Sequence, residues 1–199
     1  MGELCPKNAK VGITVNWFVL YVRAASEERV LERLKKRLNS DAYIPFIPRK
    51  VYPYIKKGRV IKKEIKTCFP GYVFIRSSRH VDDSINELLD SIYGISEAYY
   101  FLCYGKEKLN MALREDESVH VEQLMNAEFC IDSSIGFMEG DCVKIVSGPL
   151  KGIESQIVKI NKQKRTAVIE VDMFGGKRQI TLMLELVERT SLYDEVLAD

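Results

Sequence analysis

Apolar stripes alternate with charged faces along the chain, and their spacing changes character near residue 130. WFVLYVR (17–23) is a short, largely apolar run of aromatic and β-favouring residues and reads as a buried strand. Ser26 stands as an N-cap, with Glu27 and Glu28 at the positive end of the helix dipole. Val30, Leu31, Leu34 and Leu38 then mark one face of a helix through SEERVLERLKKRL. In AYIPFIPRKVYPYIKKGRVIKKEIKT, Pro45, Pro48 and Pro53 exclude a helix and point to an edge strand. Gly58 marks a hairpin turn there, and VIKKEIK returns as a second strand. FPGYVFI (69–75) is apolar enough for a sheet centre. Val81, Ile85, Leu88, Leu89 and Ile92 recur at helical spacing and stop at Gly94. ISEAYYFL (95–102) predicts another strand, and residues 114–126 a short helix with Val121, Leu124 and Met125 inward. The order of these elements is that of an α+β domain.

Residues 127–136, AEFCIDSSIG, break the pattern and read as a linker. Beyond them, DCVKIV, ESQIVKIN, TAVIEVDM and RQITLMLE are short strands separated by turns, which predicts a small barrel. The expected division is a first domain over 14–126, a linker over 127–136 and a barrel over 137–190. In MFGGKRQI (173–180) two adjacent glycines supply the positive φ of a tight turn, and Lys177 and Arg178 follow its tip.

Composition changes this picture only locally. The 199 residues are 46% apolar and 29% charged, with a formal net charge of +2, so overall charge gives no argument for nucleic acid. Between Arg49 and Lys66, however, eight basic residues meet one acid, Glu64, which marks a solvated strand edge or a polyanion-facing surface. Cys5, Cys68, Cys103, Cys130 and Cys142 form no CxxC pair and fit free thiols in a reducing cytoplasm. The first sixteen residues do not read as a signal peptide, and no apolar run approaches the ~18 residues of a membrane span.

Catalytic and metal chemistry find little support. His80 and His120 are the only histidines, neither lies in a nucleophile or ligand motif, and Asp82-Asp83 and Glu115-Asp116-Glu117 are explained by helix N-termini. Gly148-Pro149-Leu150-Lys151-Gly152 lacks the GK[ST] ending and following helix of a phosphate loop and reads as a turn. The expectation is a protein without enzymatic activity, cofactor or metal.

WFVLY with its helix, then CFPGYVFI, then FMEGDCVKIVSGPLKG with strands ending at LELVE, together resemble the NusG family of transcription elongation factors. The resemblance runs from Trp17 to Glu188 and implies an NGN-type α/β sandwich followed by an SH3-like barrel carrying a KOW motif. It further implies docking of the first domain on the clamp helices of the RNA polymerase β′ subunit, through Tyr21, Phe69, Tyr72 and Phe74. By period-two alternation Tyr72 and Phe74 share one face, while Trp17 and Phe69 are also assigned to the core. Specialised members read non-template DNA at positions matching Arg23, Arg29 and Arg33. Arg29 and Arg33 lie four apart on one helical face, where like charges repel, which fits either a nearby polyanion or a solvated face.

Two departures bear on partners. The family commonly has glycine where Ser155 stands, and an FGR tip where this chain has Phe174-Gly175-Gly176. In the housekeeping protein that tip binds a small-subunit ribosomal protein and the Rho terminator. Here Lys177 and Arg178, expected to face Lys162, Lys164 and Arg165 on a neighbouring turn, instead form with Lys151 a footprint for RNA. The chain is most similar to the LoaP-like paralogues, processive antiterminators that recognise a hairpin in nascent RNA. The resulting expectation is a cytoplasmic, monomeric antiterminator. A housekeeping elongation factor and a ribosome-associated KOW protein are the alternatives.

Overall fold

The computed structural model describes residues 15–57, 59–105 and 110–188. Cys5, the Gly58 turn and the final barrel residues 189 and 190 lie outside these ranges. Strand β1 (Asn16–Val22) is central in a four-stranded sheet, followed by helix α1 (Glu27–Arg37) and strand β2 (Tyr43–Phe46). With β5 (Tyr72–Ser77) and β6 (Ala98–Phe101), the sheet order is β2-β5-β1-β6, antiparallel throughout. Pro45 sits in β2 at an edge, as its missing N–H requires.

The continuous apolar run in β1 follows from burial on both faces. Phe18, Leu20 and Val22 join Val73 and Ile75 of β5 beneath α1 and α2 (Val81–Ile92). Trp17, Val19 and Phe74 point the other way, where α3 (Glu115–Leu124) contributes Val121 and Leu124. Trp17 meets Phe46 edge-on with ring centroids 5.2 Å apart. Two local expectations change. Ser26 occupies the N-cap of α1 without a side-chain capping bond. Glu27 is buried, and its carboxylate accepts the Gly71 N–H at 2.6 Å, tying the helix start to the approach to β5. The segment read as a strand from 95 begins pairing only at Ala98, because Ile95 to Ala98 first close a turn.

The basic block forms a two-stranded ribbon, β3 (Arg49–Lys56) and β4 (Arg59–Thr67). The segment read as a linker is structured. β7 (Cys130–Ile131) pairs in parallel with Arg49 and Lys50 of β3, and Phe129 stacks on Phe46 at 3.9 Å. Cys130 and Ile131 are buried, so apolar side chains outweigh the turn signal of Asp132-Ser133-Ser134.

The second half is a curled SH3-like sheet of five strands, in the order β10-β11-β12-β8-β9. These are β8 (Ser134–Glu139), β9 (Cys142–Ser147), β10 (Ile157–Asn161), β11 (Thr166–Met173) and β12 (Gly176–Leu186), with a 3₁₀ turn over Glu154–Gln156. Its interior residues Ile169, Ile180 and Leu182 belong to the same apolar cluster as Trp17 and Phe74. A second contact joins Val51 of the ribbon, Cys130 and Met183 of β12, with Val60 packed against them.

Phe74 has no exposed surface and touches the rings of Trp17, Phe46 and Phe69. Phe74→Ala is therefore expected to destabilise the chain by about 3–5 kcal/mol, read as a lower midpoint in urea unfolding. A midpoint unchanged from wild type would show that this face is not part of the core.

Candidate functional site

Three strands bring a row of tyrosines to one end of the central sheet. Tyr21 lies opposite Tyr72 on β5 and opposite Tyr100 on β6, so the three side chains share a face. Ring centroids are 5.4 Å apart for Tyr21–Tyr72 and 5.3 Å for Tyr21–Tyr100, with Tyr99 5.4 Å from Tyr21. Tyr99 and Tyr100 are about half exposed, whereas Tyr21 and Tyr72 are partly buried. Gly71 turns the chain into β5 with a φ of +86°, a backbone conformation that favours glycine, and it lies against the Tyr21 ring.

The four aromatic residues expected to meet polymerase therefore divide. Tyr21 and Tyr72 belong to the accessible row. Phe74 is fully enclosed and Phe69 is 8% exposed, so both support the row from within and present almost no surface to a partner. Tyr99 and Tyr100 escaped the sequence reading. Their signal was the AYYF strand, but placing it beside Tyr21 required the β1–β6 register.

The arginines expected at DNA also have an internal explanation. Arg29 and Arg33 converge on the carboxylate of Glu97, at 3.1 and 3.2 Å. Glu97 is nearly buried at the turn before β6, and Arg23 donates its backbone N–H to the Glu97 carbonyl. The like-charge spacing on α1 is thus balanced by a carboxylate of this chain. The hydrogen bond from Arg29 leads the causes that hold the Glu97 carboxyl below its usual range. A hydrogen bond with the Tyr99 hydroxyl leads the causes that hold the Arg23 guanidinium above its ordinary value.

The hairpin tip differs most from expectation. Met173 pairs with Gly176, so Phe174 and Gly175 are the central turn residues, with φ of +53° and +70°. Gly176 belongs to β12; the first left-handed residue is a phenylalanine. Glu117, buried on α3, holds this strained turn. Its Oε2 accepts the Phe174 N–H at 3.2 Å and its Oε1 accepts the Gly175 N–H at 3.0 Å. The Tyr104 hydroxyl also donates to Glu117, and the Tyr104 ring lies 5.0 Å from that of Phe174. Burial and the bond to Glu117 push the Tyr104 hydroxyl up to about 12.

The two cationic turns do not face each other. Lys162, Lys164 and Arg165 precede β11, whereas Lys177 and Arg178 follow its far end. Seven strand steps separate those ends by about 23 Å. Lys177 pairs with Glu170 at 3.3 Å and lies opposite Asp172, so acidic neighbours offset its charge. At the other end, Leu184 N–H donates to the Arg165 carbonyl, Leu184 lies opposite Ser134, and the Leu150 N–H donates to Ser134 Oγ. This chain of neighbours puts the turn that carries Lys151 at the same end of the barrel as Arg165.

No group of His, Cys, Asp and Glu among the described residues is arranged to hold a metal ion. Cys68, Cys103, Cys130 and Cys142 are free thiols, and burial pushes the Cys68 thiol up to about 12, which suppresses its reactive thiolate. No helix among the described residues is long and apolar enough to cross a membrane.

Two outcomes follow from the buried carboxylates. Glu117→Ala removes the acceptor from a half-buried amide, Phe174, and an exposed one, Gly175, which costs about 1–3 kcal/mol. Faster hydrogen exchange at Phe174 and Gly175 checks it; unchanged protection there contradicts the clasp. Because the folded-state pKa of Glu97 is depressed, its contribution is present above the unfolded value, about 4.3, and is lost as pH falls through the folded value. Glu97→Gln should therefore melt below wild type at pH 7, with the gap closing only beneath the usual carboxylate range.

Comparison with known proteins identifies the family. The family model described as transcription termination factor nusG matches residues 15–121. Over 180 residues the chain is 25% identical to the transcription termination/antitermination protein NusG of Thermus thermophilus, covering 85% of this chain and 96% of that protein. The Helicobacter pylori protein of the same name is 22% identical over 180 residues, with coverages of 88% and 98%. A Thermotoga maritima NusG structure, solved for its domain interaction, aligns with a TM-score of 0.44 at 19% identity, covering 86% of this chain and 94% of that one. The chain belongs to the NusG family of transcription termination and antitermination factors.

Proposed function

We propose that this protein is a processive antitermination factor that binds RNA polymerase through the tyrosine end of its central sheet. The observation carrying this reading is the cross-strand row of Tyr72, Tyr21 and Tyr100. Tyrosines held at short ring spacing by three paired strands offer apolar faces and hydroxyl donors at little entropic cost, which suits docking on paired helices. Phe69 and Phe74 hold the row from behind. Arg23, Arg29 and Arg33 stand beside it, and the Arg29 and Arg33 side chains keep 68% and 43% of their surface while anchored on Glu97. That arrangement supports a secondary contact with the non-template strand.

The barrel contributes the nucleic-acid contact in this reading. Lys151, Lys162, Lys164 and Arg165 gather at one end and support binding of an RNA hairpin through its phosphates. Linking the two sites in one chain raises the effective concentration of the second, so a weak RNA contact suffices to select a transcript. Binding alone performs this role, without cofactor or covalent chemistry.

The housekeeping reading draws support from relatives described as termination/antitermination proteins. Against it, the barrel tip that serves protein partners in that reading lacks its arginine and is engaged by Glu117. Transcription through a terminator separates the two: the antiterminator requires a leader RNA in cis, whereas the housekeeping factor does not.

Tyr21→Ala combined with Tyr72→Ala in the full chain is expected to weaken binding to core RNA polymerase at least tenfold, equivalent to about 1.4 kcal/mol. Far-ultraviolet circular dichroism should show the fold retained. Wild-type affinity in the folded double variant would exclude the tyrosine row as the docking surface.

A further inference from the structure

The basic ribbon and the cationic end of the barrel lie side by side, although they belong to different halves of the chain. Met183 of β12 packs with Val51 and Cys130, and Val60 packs against this cluster. Met183 lies opposite Thr166, the residue after Arg165. Lys63 Nζ donates to Ser133 Oγ at 3.3 Å, next to Ser134, which anchors the turn carrying Lys151. Strand β7 fixes the base of the ribbon by pairing with Arg49 and Lys50. The ribbon is therefore docked on the barrel end that carries Lys162 and Lys164, far from Lys177 and Arg178.

Charge on this joint surface is mostly uncompensated. Glu64 takes Lys62 and Lys66, and Glu185 takes Arg165. Among the described residues, Lys56, Lys57 and Arg59 at the ribbon tip have no carboxylate partner, and neither do Lys162 and Lys164. All five are exposed. Tyr54, 46% exposed, lies opposite Lys62, whose ammonium is 5.3 Å from the ring centroid. Cations interleaved with an accessible aromatic ring suit a phosphodiester chain with an unpaired base available for stacking.

We propose that the β3–β4 ribbon and the Lys151–Arg165 end of the barrel form one RNA-binding surface that crosses both halves of the chain. This rests on the reading of the barrel as an RNA-binding element and extends the site to the other half. The ribbon tip follows the RNA backbone beyond the barrel, Tyr54 receives an unpaired base, and Lys177 and Arg178 take no part. Contact between the halves is then a condition of full affinity, because separating them divides the surface.

The test uses the full-length protein and a fluorescein-labelled RNA stem-loop with an unpaired loop, with anisotropy read over a range of salt concentrations. A second arm uses a DNA duplex of the same length. The variants are Lys56→Gln/Lys57→Gln/Arg59→Gln on the ribbon, Lys162→Gln/Lys164→Gln on the barrel, and Lys177→Gln/Arg178→Gln at the tip. The first two are expected to lose RNA affinity at least about tenfold each, with the salt slope reduced by about 1–2. The tip variant should remain within about twofold of wild type. If the ribbon variant keeps wild-type affinity and slope while the barrel variant loses both, the surface does not cross the halves, although the barrel reading stands. Wild-type binding by both variants overturns both readings. Tighter binding of the DNA duplex than of the stem-loop overturns the assignment to RNA.

Discussion

A single buried carboxylate, Glu117, accepts hydrogen bonds from three groups distant in sequence: the Tyr104 hydroxyl and the amides of Phe174 and Gly175. It adds a polar tie between the two halves to the apolar cluster they share. A buried acceptor with several donors is favourable only when every donor is in place. The barrel tip, the segment before α3 and α3 itself are therefore fixed together. Phe174 adopts a left-handed backbone that carries a strain cost for a bulky side chain. The hydrogen bond to its amide and the packing of its ring on Tyr104 offset that cost.

The same joint orders the functional surfaces. With the tip held against α3, the opposite barrel end meets the basic ribbon, and the charged surface gathers there. The central sheet uses one face to hold α1 and α2 and the other to receive α3, while its tyrosine end stays accessible. Two surfaces of different chemistry result, one aromatic and one cationic. Their separation is what the proposed role requires, with one surface for polymerase and the other for RNA.

Glu97 and Glu117 play comparable parts in different settings. Glu97 gathers two arginines whose outer surfaces remain in water, so its contribution is screened and belongs more to positioning than to stability. Glu117 is itself buried and gathers neutral donors that are only partly covered, so its contribution lies in holding the turn and the Tyr104 hydroxyl in one place. In each case a carboxylate organises the groups that the sequence presents as isolated features.

The family resemblance and most elements were legible in the sequence, because apolar spacing is a local property. Val30, Leu31 and Leu34 fix the buried face of α1; Trp17, Val19, Phe18 and Leu20 divide by strand alternation between two layers. The local charge of the ribbon was equally visible. Only tertiary structure decided which charges and rings meet. Lys162 and Lys177 look like neighbours because their turns flank one strand, yet the strand's length sends them to opposite ends. Arg29 and Arg33 seemed to call for a polyanion until Glu97, more than sixty residues away, closed on them. Phe74 reads like a surface aromatic of the Tyr72 face, but β1, β2 and the residues around them enclose it. Periodicity specifies the direction of a side chain within its own element, whereas burial and charge pairing depend on distant elements that cover it.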